Sequence, residues 1–280
     1  MFALYLRKKF KIPFIITEHS TTYLKSNSNN HSFLEKFIIK KVVNKASKIC
    51  PVSYDLQKAM ISSGYNGVYK VVPNVVNTSF FKYIEKGISK PIKILHISSL
   101  KEAHKNGKGM LRVIKKLSQK RKDFTFTIVS DGDTLSIKEY AKEINLKSNF
   151  FHIEGGKSIE EIAITMQNYD LFLLFSNFEN LPCVISESLV SGMPVISSNV
   201  GGIDEMITNE NGVLVTPRNE EQLLSSLINV LDNTSNFNRI EIAKKAKKTY
   251  SYETVSSQFL KIYKEIINNN KIPIEFPYSP

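Results

Sequence analysis

The stretch 176-SNFENLPCVISESLVSGMPVISSNVGGIDEMI-207 decides the fold. An apolar strand, DLFLLFS at 170–176, runs into it. Four polar or aromatic residues follow, then Leu181 and Pro182, then helical periodicity over 183–191. Gly192 and Pro194 open the next strand, PVISS at 194–198. Pro182 suits the first turn of a helix, where its missing N–H is not needed. The backbone N–H groups at 180–183 are therefore predicted to lie at a strand's carboxyl end, beside the positive end of a helix dipole. That is an arrangement for an anion. Ligands of open α/β sheets bind at this edge. Glu179 sits in the loop, and Glu187 follows eight residues later, about a turn and a half into the helix. A carboxylate there accepts hydrogen bonds from paired sugar hydroxyls, as acidic residues do with ribose. By spacing alone, a capping acid and a surface acid are the other reading.

Working outward, the chain alternates between strands and helices. Strands are predicted at 13–17, 48–53, 70–74, 92–98, 124–130, 149–155, 170–176, 194–198 and 212–217. They are short, rich in β-branched and aromatic residues, and bounded by Gly, Pro, Asn or Asp. Several are apolar throughout, as in parallel strands covered on both faces. Helical periodicity lies at 34–47, 54–63, 108–120, 135–145, 159–168, 183–191, 218–232 and 253–267. The class is α/β with parallel sheets. A boundary is expected near 83–91, where YIEKGISKP is polar and precedes a fresh strand. After 217, two or three charged helices lead to the tail KIPIEFPYSP.

Composition narrows the class further. The chain has 280 residues, 42% apolar and 23% charged, enough to bury a core. Its two cysteines, Cys50 and Cys183, exclude a disulfide framework and a Cys/His zinc cluster, and suit a reducing compartment. No apolar run approaches the roughly 20 residues that span a bilayer. The start, MFALYLRKKF, carries its charge after the apolar stretch, the reverse of a signal peptide. A cytoplasmic location is the expectation. The net charge of +12 is uneven: residues 1–90 hold 15 Lys/Arg against 4 Asp/Glu. Such a basic first third suits an acidic partner, an anionic membrane surface included, and equally a Lys-rich solvated face. The segment 34–49 concentrates it: Ile38, Ile39, Val42, Ala46 and Ile49 share a helical face, with Lys36, Lys40, Lys41 and Lys48 on the others.

The segment 176–207 resembles the donor-binding motif of retaining GT-B glycosyltransferases of glycosyltransferase family 4. That family has E-x7-E, then small residues and G-x-P-V, then a G-G-x-x-E turn. Here stand Glu179 and Glu187, Gly192-Met193-Pro194-Val195, and Gly201-Gly202-Ile203-Asp204-Glu205. The resemblance extends from about residue 10 to 232. PVSYDLQKAMISSG and VVPNVVNTSFF look like another passage of the family, with Val75 where Gly is usual. By this resemblance Glu187 holds the ribose hydroxyls of a nucleotide and Glu179 lies beside the transferred sugar. Backbone N–H groups of Asn180 and Leu181 meet the diphosphate.

Two more elements carry the resemblance. In ISSLKEAHKNGKGMLRVIKKL, 97–117, a loop lysine, Lys105, can reach a diphosphate as a point charge. Lys105-Asn106 matches the family's K-N, while Ser99 stands where its Arg is usual. In IITEHSTTY, 15–23, His19 follows an apolar strand and matches the T-x-H whose His faces the donor sugar. His96, inside a strand, reads as core. Asp131-Gly132-Asp133 spells the metal-binding D-x-D of other glycosyltransferases, but its place after FTFTIVS makes it a turn. Gly107-Lys108-Gly109 lacks the rest of a P-loop or dinucleotide fingerprint.

The resemblance implies a GT-B architecture. Its parts are a partial N-terminal Rossmann-like domain (1–90), a complete C-terminal nucleotide-sugar-binding domain (91–250), and a helix and tail (251–280) that cross back. The chain starts at what looks like the last helix before the T-x-H strand, so the first part of the N-terminal domain is expected to be missing. The implied activity is metal-independent retaining transfer of a sugar from a UDP- or GDP-sugar to a polysaccharide or lipid-linked saccharide acceptor, as in cell-envelope biosynthesis. The donor is a substrate, and no cofactor or metal is expected. Catalytic roles fall to Glu179, Lys105 and His19, and donor binding to Glu187, Asn180, Leu181 and Lys105. The alternative is an inactive or partner-dependent nucleotide-sugar-binding remnant. No nucleic-acid module accompanies the basic charge.

Overall fold

Four consecutive residues, Leu171–Leu174, are fully buried, which is why this strand is apolar without alternation. It is β6 of a six-stranded, wholly parallel sheet in the computed structural model, which describes residues 2–20, 23 and 32–270. The other strands are β3 (Ile92–Ile97), β4 (Phe124–Val129), β5 (Phe151–Glu154), β7 (Val195–Ser198) and β8 (Gly212–Val215). Their order across the sheet is β5-β4-β3-β6-β7-β8, so the winding reverses between β3 and β6. Ile94 and Leu95 of β3 pair with Leu171 and Phe172.

Helices cover the sheet. α5 (Gly107–Lys120) buries Met110, Leu111, Val113, Ile114 and Leu117 at helical spacing and turns Arg112 and Lys116 outward. It packs on α9 (Glu220–Asp232) and α6 (Thr134–Glu143). These helices share one cluster with Phe124, Phe126, Phe151, Leu171 and Leu173 of the strands. At about 1.5–3 kcal/mol for each large side chain, such a cluster supplies the main driving force for folding this unit. α7 (Ile159–Gln167) opens with a full capping box, Ser158 with Glu161. α8 (Cys183–Val190) and α10 (Arg239–Tyr250) pack on each other.

The chain groups into two units. The larger is Val75–Ser251; the smaller joins residues up to Asn74 with those from Tyr252 onward. Residues 75–90, expected with the first domain, belong to the larger unit. Val76 N–H donates to Tyr250 O at 2.8 Å, Phe81 is buried, and Lys86 Nζ reaches Asp170 at 2.9 Å.

The smaller unit has a two-stranded parallel sheet, β1 (Ile15–Glu18) with β2 (Lys48–Pro51). Around it lie α1 (Phe2–Phe10), α2 (Phe33–Val43), α3 (Tyr54–Ser62) and α11 (Tyr252–Asn270). Cys50, Val72, Val255, Ile262 and Ile266 form its apolar cluster. Two expectations change here. The helix expected over 34–47 stops at Val43, and Lys48 and Ile49 belong to β2. The strand expected at 70–74 is instead extended backbone held by a single bridge: Lys70 and Val72 N–H donate to Ile49 O and Pro51 O, and β2 itself ends at Pro51. Among the described residues three α-helices follow residue 217, and the one not located by periodicity is α10. The tail 271–280 lies outside the described residues. No helix among the described residues is long and apolar enough to cross a membrane.

Candidate functional site

The sheet order places the loops after β3 and β6 side by side at the carboxyl edge, where the winding reverses. Open α/β sheets bind ligands at such a point. The loop after β3 holds a one-turn helix, α4 (Glu102–Lys105), and ends at Asn106, whose φ of 51° is left-handed. Asn tolerates that conformation better than most side chains. The turn brings Lys105 back over the sheet, and its Nζ meets Glu179 Oε1 at 2.5 Å. Ser176 Oγ donates to the same oxygen at 2.7 Å. Glu179 is buried, at 8% exposure, while Lys105 keeps part of its head in solvent.

Backbone contacts lock the two loops together. Asn177 N–H donates to His104 O at 2.7 Å, and Asn177 Nδ2 donates to Ala103 O at 3.1 Å. The His104 and Phe178 rings meet edge to face. A third loop closes on them after β7. Gly202 N–H donates to Asn180 O at 2.9 Å. Gly201 has φ 58°, and a Cβ there would lie 2.3 Å from Glu179 O. Only glycine fits such a turn against another backbone. The Gly201-Gly202 pair thereby fixes the carbonyls of Glu179 and Asn180.

Asn180 and Leu181 are buried and lead into α8, with Pro182 at the N-cap rather than inside the first turn. On α8, Glu187 is largely buried, and burial alone pushes its carboxyl up to about 7. Among the described residues no cation and no side-chain hydrogen bond engages this carboxylate. A buried acid in that condition costs stability when charged, unless a ligand supplies the missing donors.

His96 lies under the β3 loop and does more than fill the core. Its Nδ1 donates to Leu173 O of β6 at 2.8 Å, which leaves Nε2 to accept from Ser98 Oγ at 2.7 Å. Ser98 Oγ in turn accepts from Leu100 N–H at 3.2 Å. Burial, and then the nearby charge of Lys105, push the imidazole down to about 4 against the pull of the Leu173 carbonyl, so it is neutral at physiological pH. It ties β3 to β6 at the reversal point. The sequence signal was a polar residue near a strand's end with Ser two positions on.

The structure thus brings Lys105, Glu179, Asn180 and Leu181 together and sets Glu187 on the helix that follows them. His19 lies in the smaller unit, at the end of β1, with Nδ1 2.9 Å from Asn74 Oδ1. Asp131-Gly132-Asp133 is a turn. Asp133 accepts from Ser136 N–H as the cap of α6, and a Cβ on Gly132 would lie 1.8 Å from Ser99 O. Among the described residues no three His, Cys, Asp or Glu side chains are placed to hold a metal ion.

Residues 80–249 match the family model described as "Glycosyl transferases group 1". An uncharacterized glycosyltransferase of Methanocaldococcus jannaschii is 26% identical over 275 residues, spanning 93% of this chain and 71% of that protein. An MMP alpha-(1->4)-mannosyltransferase of Mycolicibacterium hassiacum is 25% identical over 205 residues, 70% of this chain and 48% of that protein. Among solved structures, HepE of Anabaena in complex with UDP superimposes with a TM-score of 0.79 at 18% identity, covering 93% of this chain and 74% of that one. The last likeness is one of fold, and the fold is of GT-B type.

Proposed function

The chain belongs to the glycosyl transferases group 1 family, and on that premise we propose that it is a retaining, family 4 glycosyltransferase that moves a sugar from a nucleoside diphosphate donor to a saccharide acceptor. The observation that carries this is Glu187, a half-buried carboxylate that meets no cation among the described residues, on the helix into which the loop of the Lys105–Glu179 pair leads. The ribose diol of a nucleotide would supply its missing donors. The diphosphate would lie against Asn180, Leu181 and the start of α8, with Lys105 as its counter-charge. HepE, a relative in fold, is known in complex with UDP, which favours a nucleoside diphosphate sugar as donor.

In the reaction, the bond between the anomeric carbon and the β-phosphate oxygen breaks. The acceptor oxygen bonds to the same face of that carbon, and its proton passes to the departing diphosphate. No covalent enzyme intermediate is needed. Catalysis is then positioning and charge stabilisation. Lys105 stabilises the negative charge that develops on the diphosphate. Glu179, held by Ser176, orients sugar hydroxyls, and the resemblance of IITEHSTTY assigns His19 the same task. His96 positions the Lys105 loop. The acceptor is a polysaccharide or lipid-linked saccharide on the cytoplasmic side of the cell envelope. Peripheral membrane contact through the basic first third fits the exposed Phe2, Tyr5, Phe10, Leu34 and Phe37 among its lysines. The two-stranded sheet of the smaller unit favours a second reading, donor binding without transfer by this chain alone.

Titration with UDP and GDP tests the donor site. One of them binds saturably, Glu187→Ala weakens it at least tenfold, and Glu179→Ala spares binding while removing transfer. Normal turnover by Glu179→Ala would remove that residue from the site; binding without turnover by the unaltered chain selects the second reading.

A further inference from the structure

Along the outer side of α10 the larger unit carries another concavity, a groove of about 620 Å³. One wall is the segment before β8, with Thr208, Asn209, Glu210 and Asn211. The facing wall is α10 and the turn before it, with Asn236, Asn238, Glu241 and Lys245. Buried Met206, Ile242, Ala246 and Tyr250 make an apolar floor. The groove reaches the amino edge of the sheet. Asn211 directly precedes β8, and Asn238 caps α10, whose Arg239 donates from Nε to Gly192 O just ahead of β7. Lys105 and Glu179 stand at the opposite edge, at least roughly 10 Å away along strands of about 3.3 Å per residue.

The lining has a definite chemistry. The one lysine of the lining, Lys245, pairs with Glu210 across the rim, and Glu241 pairs with Lys244 beside it. Diphosphates, phosphorylated headgroups and nucleic acid find no uncommitted cation among the lining residues. The carboxylates are not gathered for a metal: among the described residues no three such groups are. The side chains of Asn209 and Asn236 make no hydrogen bond among the described residues. Each amide offers two donors and an acceptor, the complement of neighbouring sugar hydroxyls. The apolar floor suits the C–H face of a sugar ring, which itself combines an apolar face with a polar rim.

We infer that this groove is a saccharide-binding site, separate from the donor loop, that holds a stretch of neutral glycan. The identification of the neutral ligand as a glycan rests on the transferase reading. Held there, a long acceptor chain would stay attached between turnovers and raise the local concentration of its own reactive end. A short acceptor would gain nothing.

The test uses the full chain on an array of neutral oligosaccharides, with spermine as the cationic control, followed by calorimetric titration of the strongest glycan. Neutral glycan binding is expected, and Asn209→Ala with Asn236→Ala weakens it at least tenfold while UDP or GDP affinity changes less than twofold. Glu187→Ala shows the reverse pattern. Absence of any neutral glycan ligand, binding of spermine alone, or glycan affinity indifferent to the two asparagines would overturn the proposal. Nucleotide binding that fails while glycan binding persists overturns the donor-site reading and leaves this one standing.

Discussion

Replacing Glu187 by Gln is expected to strengthen the fold at alkaline pH while removing nucleotide binding. Burial raises this carboxyl from its usual 4.5 to about 7. Between those values the unfolded chain has released the proton and the native chain still holds it. Stability therefore falls as pH rises from about 4.5 to 7 and is level above that. Each unit of displacement corresponds to about 1.4 kcal/mol, so the residue withdraws on the order of 3 kcal/mol by pH 8. Gln keeps the shape, has no proton to lose, and lacks this slope. Urea unfolding of both chains at pH 5 and pH 8 measures it. The stability difference between variant and unaltered protein should move by about 3 kcal/mol in favour of Gln. The same displacement makes nucleotide affinity in the unaltered protein fall about fivefold from pH 7 to pH 6, since only the carboxylate accepts from two hydroxyls. Parallel stability curves would show that the carboxylate is solvated or paired in the native protein, and the argument for a ribose site would lose its basis.

Two other substitutions probe the frame of the site. Gly201→Ala combines a left-handed φ with a methyl 2.3 Å from Glu179 O, and should cost about 1–3 kcal/mol and weaken nucleotide binding with it; a variant of normal Tm and affinity would show the turn to be tolerant. Asp170→Asn strips the counter-charge from partly exposed Lys86, at 2.9 Å, and from buried Arg239, at 3.6 Å, at a carboxylate that is itself fully buried. A loss of about 3–5 kcal/mol in unfolding free energy is expected, and a loss below 1 kcal/mol would mean that the two cations reach solvent.

The legible parts of this chain were those governed by neighbours in sequence. Strands such as FTFTIV and LFLL have no charged position to dispute their burial, and the Gly, Pro, Asn and Asp residues around them mark their ends. Glu187 and the turn into α8 were legible because Pro182 and the helix lie within a few residues of each other. The ion pair of Lys105 with Glu179 was not, since it joins residues 74 apart and exists only because β3 and β6 are neighbours. His96 looked like core for the same reason: its partner is a carbonyl of β6. α10 escaped because eight of its twelve residues are charged or hydroxylated, and its few apolar ones are spent on a narrow seam against α8. The stretch around Tyr69–Val72 had strand composition, yet its partner strand ends at Pro51 and the pairing goes no further than a single bridge.

The smaller unit is made from both ends of the chain, and this orders events during synthesis. Val76 and Ser251 form a bridge that closes the larger unit at its own two ends, so everything it needs has left the ribosome once residue 251 is out. The apolar cluster around Cys50 must wait for Val255, Ile262 and Ile266, nearly 200 residues downstream. Domains form as units while translation proceeds at about 5–20 residues per second. The segment around Cys50 and Val72 is thus sealed only after the larger unit can close, and for roughly ten seconds or more the nascent chain presents it without the helix that covers it.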